Sequence, residues 1–306
     1  MYSTNRHLFT FFKLCWKMGK TPDVWKGSTT LLFYKKGATT DPSNYRPIAL
    51  HSNLYKLWTR IVQNVLYTCA ENVGMISDTQ EGFQENHNSA RQLEHFVSTC
   101  EDAKLSKQDL FALKLDFASA FNRVDHARLY FIMKELGMPN DAINVVKGIY
   151  TGATTKIQTS MGDSADIPIS RGTIQGDSLS PFLFILFLEP LLRWLNAGGR
   201  GYRYGCLPPG QQLIANGNAY ADDLFLLTSC YRQMIQQIRK VEAYCEWTGM
   251  SLNPSKSEVS AILHGTTRPG GGLAQSCNWN IIAPILRKIK VSNQEVKVIP
   301  PNEPIE

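Results

Sequence analysis

The sequence predicts an α+β chain of buried strands, hairpins and one-sided helices. Three observations predict it. Apolar runs that meet carboxylates, Leu110–Leu115 before Asp116 and Leu224–Leu227 after Asp222-Asp223, read as buried strands. Apolar residues at helical spacing over 52–72 and 231–247 read as helices with one buried face. The small-residue stretch Asn218-Ala-Tyr-Ala ahead of Asp222 reads as the tip of a hairpin, which makes neighbouring strands antiparallel.

A hydrophobic fraction of 43% and a charged fraction of 19% suit a globular core and exclude a disordered chain. With 306 residues there is room for one large domain or two ordinary ones. The net charge of +6 is compatible with a polyanionic partner. Its excess lies toward the start, where residues 1–75 hold ten basic side chains against three acidic ones. The seven cysteines form no C-x-x-C pair, so a zinc site is not expected. Their odd number, without a visible secretory signal, points to reduced intracellular thiols. Pro181–Leu188 falls far short of the ~20 residues of a membrane span and reads as a buried helix.

In order, residues 7–18 read as a short amphipathic helix closed by Gly19, and Ser28–Tyr34 as a strand delivering Lys35-Lys36-Gly37 into a turn. Pro42 and Pro47 keep Asp41–Leu50 extended, so Arg46 sits on a stiff support suited to phosphate. Helices follow at 52–72 and 91–100, the latter after a loop over Gln80–Ser89. Leu110–Leu115 delivers Asp116 at its carboxyl end, and Ala118, Ser119 and Ala120 leave room for another molecule. Helices at 129–136 and 142–150 precede a hairpin, 156–160 and 166–170, turning at Met161-Gly162-Asp163. Arg171–Pro181 is a glycine-bearing loop, with Gln175 and Gly176, into an apolar helix that Asp177 or Ser178 would cap. A Gly/Pro-rich loop over 197–210 leads to the acidic hairpin. The helix over 231–247 ends at Gly249, and Leu252-Asn-Pro-Ser-Lys256 leads to a short strand, Glu258–Leu263. His264–Gly272 reads as mobile, 285–299 as strand-like, and the Pro-rich end from Pro300 as lacking terminal structure. Adjacent Asp222 and Asp223 repel at a hairpin tip, and a hard divalent cation such as Mg²⁺ relieves that cost. A plain polar turn is the alternative.

Together these stretches resemble the reverse transcriptase family, in its order. Lys35-Lys36-Gly37 and Tyr45-Arg46-Pro47-Ile48 are similar to its two fingers motifs. Asp116 with Phe-Ala-Ser-Ala-Phe is similar to the first palm motif, and Arg171–Pro181 to the loop-helix motif carrying Gln-Gly. Tyr220-Ala221-Asp222-Asp223 resembles the Tyr-x-Asp-Asp turn, and Leu252–Lys256 the lysine-bearing motif after it. The resemblance spans about residues 25–263. Tyr-Arg-Pro-Ile-Ala-Leu, Gln-Gly-Asp-Ser-Leu-Ser-Pro and Leu-Glu-Pro-Leu are most similar to non-LTR (LINE-type) retrotransposon enzymes. Group II intron enzymes share Tyr-Ala-Asp-Asp but usually carry Pro where this chain has Ile174.

The resemblance implies a right-hand polymerase fold, with fingers and an antiparallel palm sheet backed by helices. It divides the chain into an N-terminal helical extension, residues 1–24, and a reverse transcriptase domain, 25–306, truncated before the thumb. It implies an RNA template, a DNA primer, dNTP substrates, two Mg²⁺ (or Mn²⁺) ions, no membrane and a nuclear location. Asp116, Asp222, Asp223 and the Phe117 carbonyl would hold the metals. Lys36 (or Lys35) and Arg46 would hold the β- and γ-phosphates. Phe121 would exclude the ribose 2′-hydroxyl, Gln175 and Gly176 would line the nucleotide and template pocket beside Tyr220 and Ala221, and Lys256 would protonate the leaving pyrophosphate. The alternatives are a group II intron-type enzyme, an RNA-dependent RNA polymerase, which prefers Gly-Asp-Asp and a polar residue at Phe121, and a catalytically inactive nucleic-acid-binding remnant.

Overall fold

The structure, a computed structural model, describes residues 2–206, 208, 211, 213–264, 287 and 289–299. The Gly- and Thr-rich stretch after His264, Cys277 and the Pro-rich end from Pro300 lie outside the described residues. In chain order the elements are α1 (Tyr2–Met18), β1 (Gly27–Tyr34), β2 (Tyr45–Leu50), α2 (Asn53–Asn72), α3 (Ser89–Ser106), β3 (Leu110–Leu115), α4 (His126–Glu135) and α5 (Asn140–Tyr150). Then come β4 (Thr154–Thr159), β5 (Gly162–Asp163), β6 (Ile167–Pro168), α6 (Leu179–Asn196), β7 (Tyr202–Arg203) and β8 (Ile214–Ala215). The last are β9 (Gly217–Tyr220), β10 (Asp223–Thr228), α7 (Tyr231–Thr248), β11 (Glu258–Ile262), β12 (Lys290–Val291), β13 (Gln294–Glu295) and β14 (Lys297–Val298).

The chain divides into two compact units, Met1–Ile76 with Phe121–Phe187, and Ser77–Ala120 with Leu188–Glu306. In the first, β1 pairs antiparallel with β2 and parallel with β4, and β4 also pairs with β5 and β6. Its core gathers the one-sided apolar faces of the helices: Tyr55, Val62 and Leu66 of α2, Ile132 of α4 and Val146 of α5 are buried. Trp58 stacks on Phe12 of α1 at 5.7 Å between ring centroids. Ser52 caps α2 by accepting from the Tyr55 N–H, and Asp125 caps α4 by accepting from the Arg128 N–H.

In the second unit five strands run in the order β14-β11-β3-β10-β9. All neighbours are antiparallel except β11 and β14, which are parallel. β3 is buried along almost its whole length, which is why it reads as an unbroken apolar run. Met234, Ile238 and Val241 of α7 are buried on the helix face that the spacing predicts, and Gly249 ends α7 at φ 72°.

Some expectations shift. The reversal after β4 falls at Ser160-Met161, with Gly162 and Asp163 already paired back to Thr159 and Gln158. The Thr159 hydroxyl closes this tighter turn by donating to the Gly162 carbonyl. The helix expected from Pro181 starts at Leu179 and runs 18 residues, because Pro190 is accommodated inside it. Among the described residues it is the helix with the length and composition of a membrane span, yet 72% of it is buried inside the protein. The loop over 197–210 contains β7, a pairing too short to leave a period in the sequence.

Candidate active site

Asp116 directly follows β3, and its place is fixed by the backbone. The Asn253 N–H donates to the Asp116 carbonyl at 2.7 Å, and the Ala118 N–H donates to the Ser251 carbonyl at 2.8 Å. These bonds flank an antiparallel bridge between Phe117 and Leu252. In such a pair the bridged residues' own N–H and C=O point away from each other. The Phe117 carbonyl is therefore directed away from the 251–253 segment. Leu115 pairs with Leu224 on β10, so the next position along the ladder sets Asp116 against Asp223. On the other side of β10, Asp223 pairs with Tyr220, which leaves Ala221 and Asp222 as the two turn residues.

Electrostatics bind these groups into one set. Burial lifts the Asp116 carboxyl above the ordinary carboxylate value; Lys256 opposes this, and the Asp223 charge adds to it. Burial likewise lifts Asp222, and after a bond from its own backbone, which lowers it, Asp223 and Asp116 push it further up. Lys256 is exposed and acts on both carboxyls in the opposite sense.

The other predicted residues lie in the first unit. β1 and β2 form a ribbon in which Phe33 faces Arg46 and the Lys35 N–H donates to the Asn44 carbonyl at 2.8 Å. Alternation then sets Lys35 on the face of Arg46, and Lys36 follows in the bend beyond β1. All three side chains are exposed. Gln175 and Gly176 lie against β2: the Ala49 N–H donates to the Gln175 carbonyl at 2.8 Å. A Cβ on Gly176, at φ +108°, would sit 2.8 Å from the Ala49 oxygen. Asp177 caps α6, accepting from the Leu179 N–H, and Tyr55 donates to its other oxygen. Phe121 is half-buried, its ring stacked on the buried Phe184 at 4.4 Å, and its carbonyl accepts the Thr173 N–H at 2.8 Å.

Two residues beside the turn carry no distinctive sequence signal. Gln80 and Gly82 fall in the stretch read as a loop, yet the Gln80 side chain meets the Ala221 N–H. A buried glutamine in a polar segment has no period to expose it; only the Gln-x-Gly spacing hints at it.

This chain belongs to the reverse transcriptase (RNA-dependent DNA polymerase) family, whose pattern matches residues 34–297. It is 31% identical over 252 residues to a Pol polyprotein from the type-1 retrotransposable element R2 of Popillia japonica, covering 81% of this chain and 34% of that protein. It is 32% identical over 175 residues to the RNA-directed DNA polymerase from the mobile element jockey of Drosophila melanogaster, covering 57% of this chain and 19% of that one. The chain thus spans about a third or less of the length of these curated relatives. Among solved structures it is similar to telomerase from Candida albicans in complex with a fragment of telomeric RNA, with TM-score 0.56 and 13% identity over 83% of this chain and 45% of that one. At that identity the likeness is one of fold, and it is consistent with a right-hand polymerase.

Among the described residues, no three His, Cys, Asp or Glu side chains gather closely enough to cage an ion unaided. Mg²⁺ does not require such a cage, since it keeps several waters and binds through one or two carboxylates plus substrate phosphates. Mutually repelling, partly buried carboxylates and an outward carbonyl are hard oxygen donors of that kind. The donor set fits a divalent ion.

Proposed function

We propose that this chain is the polymerising part of an RNA-directed DNA polymerase of a non-LTR retrotransposon, which adds deoxynucleotides to a DNA primer on an RNA template. The observation that carries the reading is the mutual electrostatic reach of Asp116, Asp222 and Asp223 at adjoining strand ends. Asp116, Asp222, Asp223 and the Phe117 carbonyl would hold Mg²⁺, and Mn²⁺ suits the same donors. When bound, such ions neutralise charge on the attacking and leaving oxygens of the displacement. Lys35, Lys36 and Arg46 bind the triphosphate, Phe121 excludes the 2′-hydroxyl, and Gln175, Gly176, Tyr220 and Ala221 shape the nucleotide and template sites. Lys256 donates a proton to the departing pyrophosphate. The first unit corresponds to fingers and the second to palm, with residues 1–24 as a helical extension ahead of the reverse transcriptase domain, 25–306. The reading includes a nuclear setting, where the DNA primer lies.

Primer extension on an RNA template tests the reading. Extension with dNTP that needs Mg²⁺ and is abolished by Asp222→Asn is expected. Nucleic-acid binding without any extension, in Mg²⁺ or Mn²⁺, would replace the reading with a non-catalytic remnant.

A further inference from the structure

The turn that bears the paired carboxylates does not dictate its own shape. Because Tyr220 pairs with Asp223, the amides of Ala221 and Asp222 take no part in the hairpin ladder. Ala221 stands at φ 55°, in a turn position where hairpins favour glycine. It is only 6% exposed, so its N–H needs an internal acceptor. That acceptor is Gln80 Oε1 at 2.9 Å, which also accepts the Gly82 N–H at 2.9 Å.

Gln80 is completely buried, and its backbone is locked to the same hairpin. The Ala219 N–H donates to the Thr79 carbonyl at 2.8 Å, and the Glu81 N–H donates to the Ala219 carbonyl at 2.7 Å. Gly82 supplies the space: a Cβ there would stand 2.4 Å from the Ala221 nitrogen. Gln80 Nε2 has no hydrogen-bond partner among the described residues, so the amide is held at this site by its oxygen. The side chain reaches the turn from a segment tied to β9, upstream of the carboxylates it serves.

We infer that Gln80 is a positioning residue for catalysis, which fixes the Tyr220–Asp223 turn through the Ala221 amide and so sets where Asp222 and Asp223 present their carboxylates. This rests on the polymerase reading. Gly82 is its necessary companion, since any side chain at that position would push the turn away.

The test compares Gln80→Met, which keeps length and removes the acceptor, with Gln80→Glu, which keeps an oxygen in place. In the 306-residue chain Q80M is expected to lower kcat for dNTP addition about 100-fold, the scale of a roughly 1 Å misplacement. KM for dNTP and affinity for primer–template should stay at the parent's values, and Q80E should recover most of kcat. Hydrogen exchange gives a readout free of activity. The Ala221 amide should exchange slowly in the parent and fast in Q80M, while β3 amides keep their protection. Mn²⁺ binding, followed by its paramagnetic signal, should weaken in Q80M and return in Q80E. Parental kcat in Q80M, or fast exchange of the Ala221 amide in the parent, would overturn the inference. If Q80M does not fold, Q80E and the parent's Ala221 exchange decide alone: an inactive Q80E with a protected Ala221 amide also overturns it. A parent without Mg²⁺-dependent extension would sink the polymerase reading, and exchange and Mn²⁺ binding would still judge the brace.

Discussion

Asp116 and Asp223 stand opposite each other across β3 and β10, one step beyond the paired Leu115 and Leu224. Two like charges at that spacing make the ion-free site a source of instability, and Asp222 in the adjoining turn adds a third. The consequences can be measured.

Asp116 and Asp222 both titrate above the ordinary value of 3.8, with burial as the first cause. A carboxyl whose folded value is raised binds protons more readily in the folded than in the unfolded chain. Its charge therefore destabilises the ion-free protein at neutral pH, and stability returns as pH falls through the raised value toward 3.8. Asp222→Asn should melt higher than the parent at pH 7 without metal, by about 2–4 °C for each kcal/mol relieved. The gain should shrink as pH falls and vanish once Asp222 is protonated, and Mg²⁺ should reverse it. Extension by this variant should fall by more than the roughly 10- to 100-fold typical of a lost outer-shell partner. An Asn variant that melts below the parent at pH 7 would contradict the repulsion.

Lys256 pulls both carboxyls down. Lys256→Ala should move the acid limb of the kcat/KM profile to higher pH, because Asp116 and Asp222 then hold their protons longer. A proton donor to pyrophosphate adds a second signature, a kcat loss that persists at high pH. Loss of kcat with an unmoved acid limb would limit Lys256 to the leaving-group role.

The ribbon register separates two adjacent lysines. Lys35 shares the face of Arg46, while Lys36 lies in the bend beyond the paired strands. Arg46→Ala and Lys35→Ala should each raise KM for dNTP about tenfold or more, since a charge-assisted hydrogen bond contributes roughly 1.5–3 kcal/mol. Lys36→Ala should do so less. Steady-state kinetics beside a primer–template binding assay would check this; equal KM effects from both lysines would refute the facing.

Phe121 packs its ring on Phe184, so removing it touches the core as well as any gate. Phe121→Leu keeps apolar volume and is the better probe. Forcing a 2′-hydroxyl into the ring would cost about 1–3 kcal/mol. The variant should therefore relax discrimination against ribonucleotides by up to roughly 5- to 150-fold at ~1.4 kcal/mol per decade. Competition between dATP and ATP measures it; an unchanged ratio in a stable, active variant would leave Phe121 as packing for Phe184.

What was legible follows from side-chain chemistry. Asp116, Asp222 and Asp223 stand out because carboxylates beside apolar strands have no packing reason to be there, and Arg46 because two prolines stiffen its surroundings. α2 and α7 are readable from their spacing, and Gly249 from the left-handed turn it makes. The supports of the site are not readable in this way. Asn253 holds the Asp116 carbonyl through its N–H, which any residue but proline could supply, and Ser251 holds Ala118 through its carbonyl, which any residue could supply. Ala221, at positive φ, donates its N–H to Gln80, far away in sequence. β7 and β8 are two residues each, below the length at which alternation becomes a pattern.

The central place of β3 also bears on how the chain is made. Its two neighbours, β10 and β11, are both synthesised later, the nearer more than a hundred residues downstream. At about 5–20 residues per second, β3 waits on the order of 5–20 s on the ribosome with both edges bare. An apolar strand with two unpaired edges is a template for pairing with other chains. Closing it demands long-range contacts, which form slowly. The strand that leads into Asp116 is thus a segment in need of chaperone cover during synthesis.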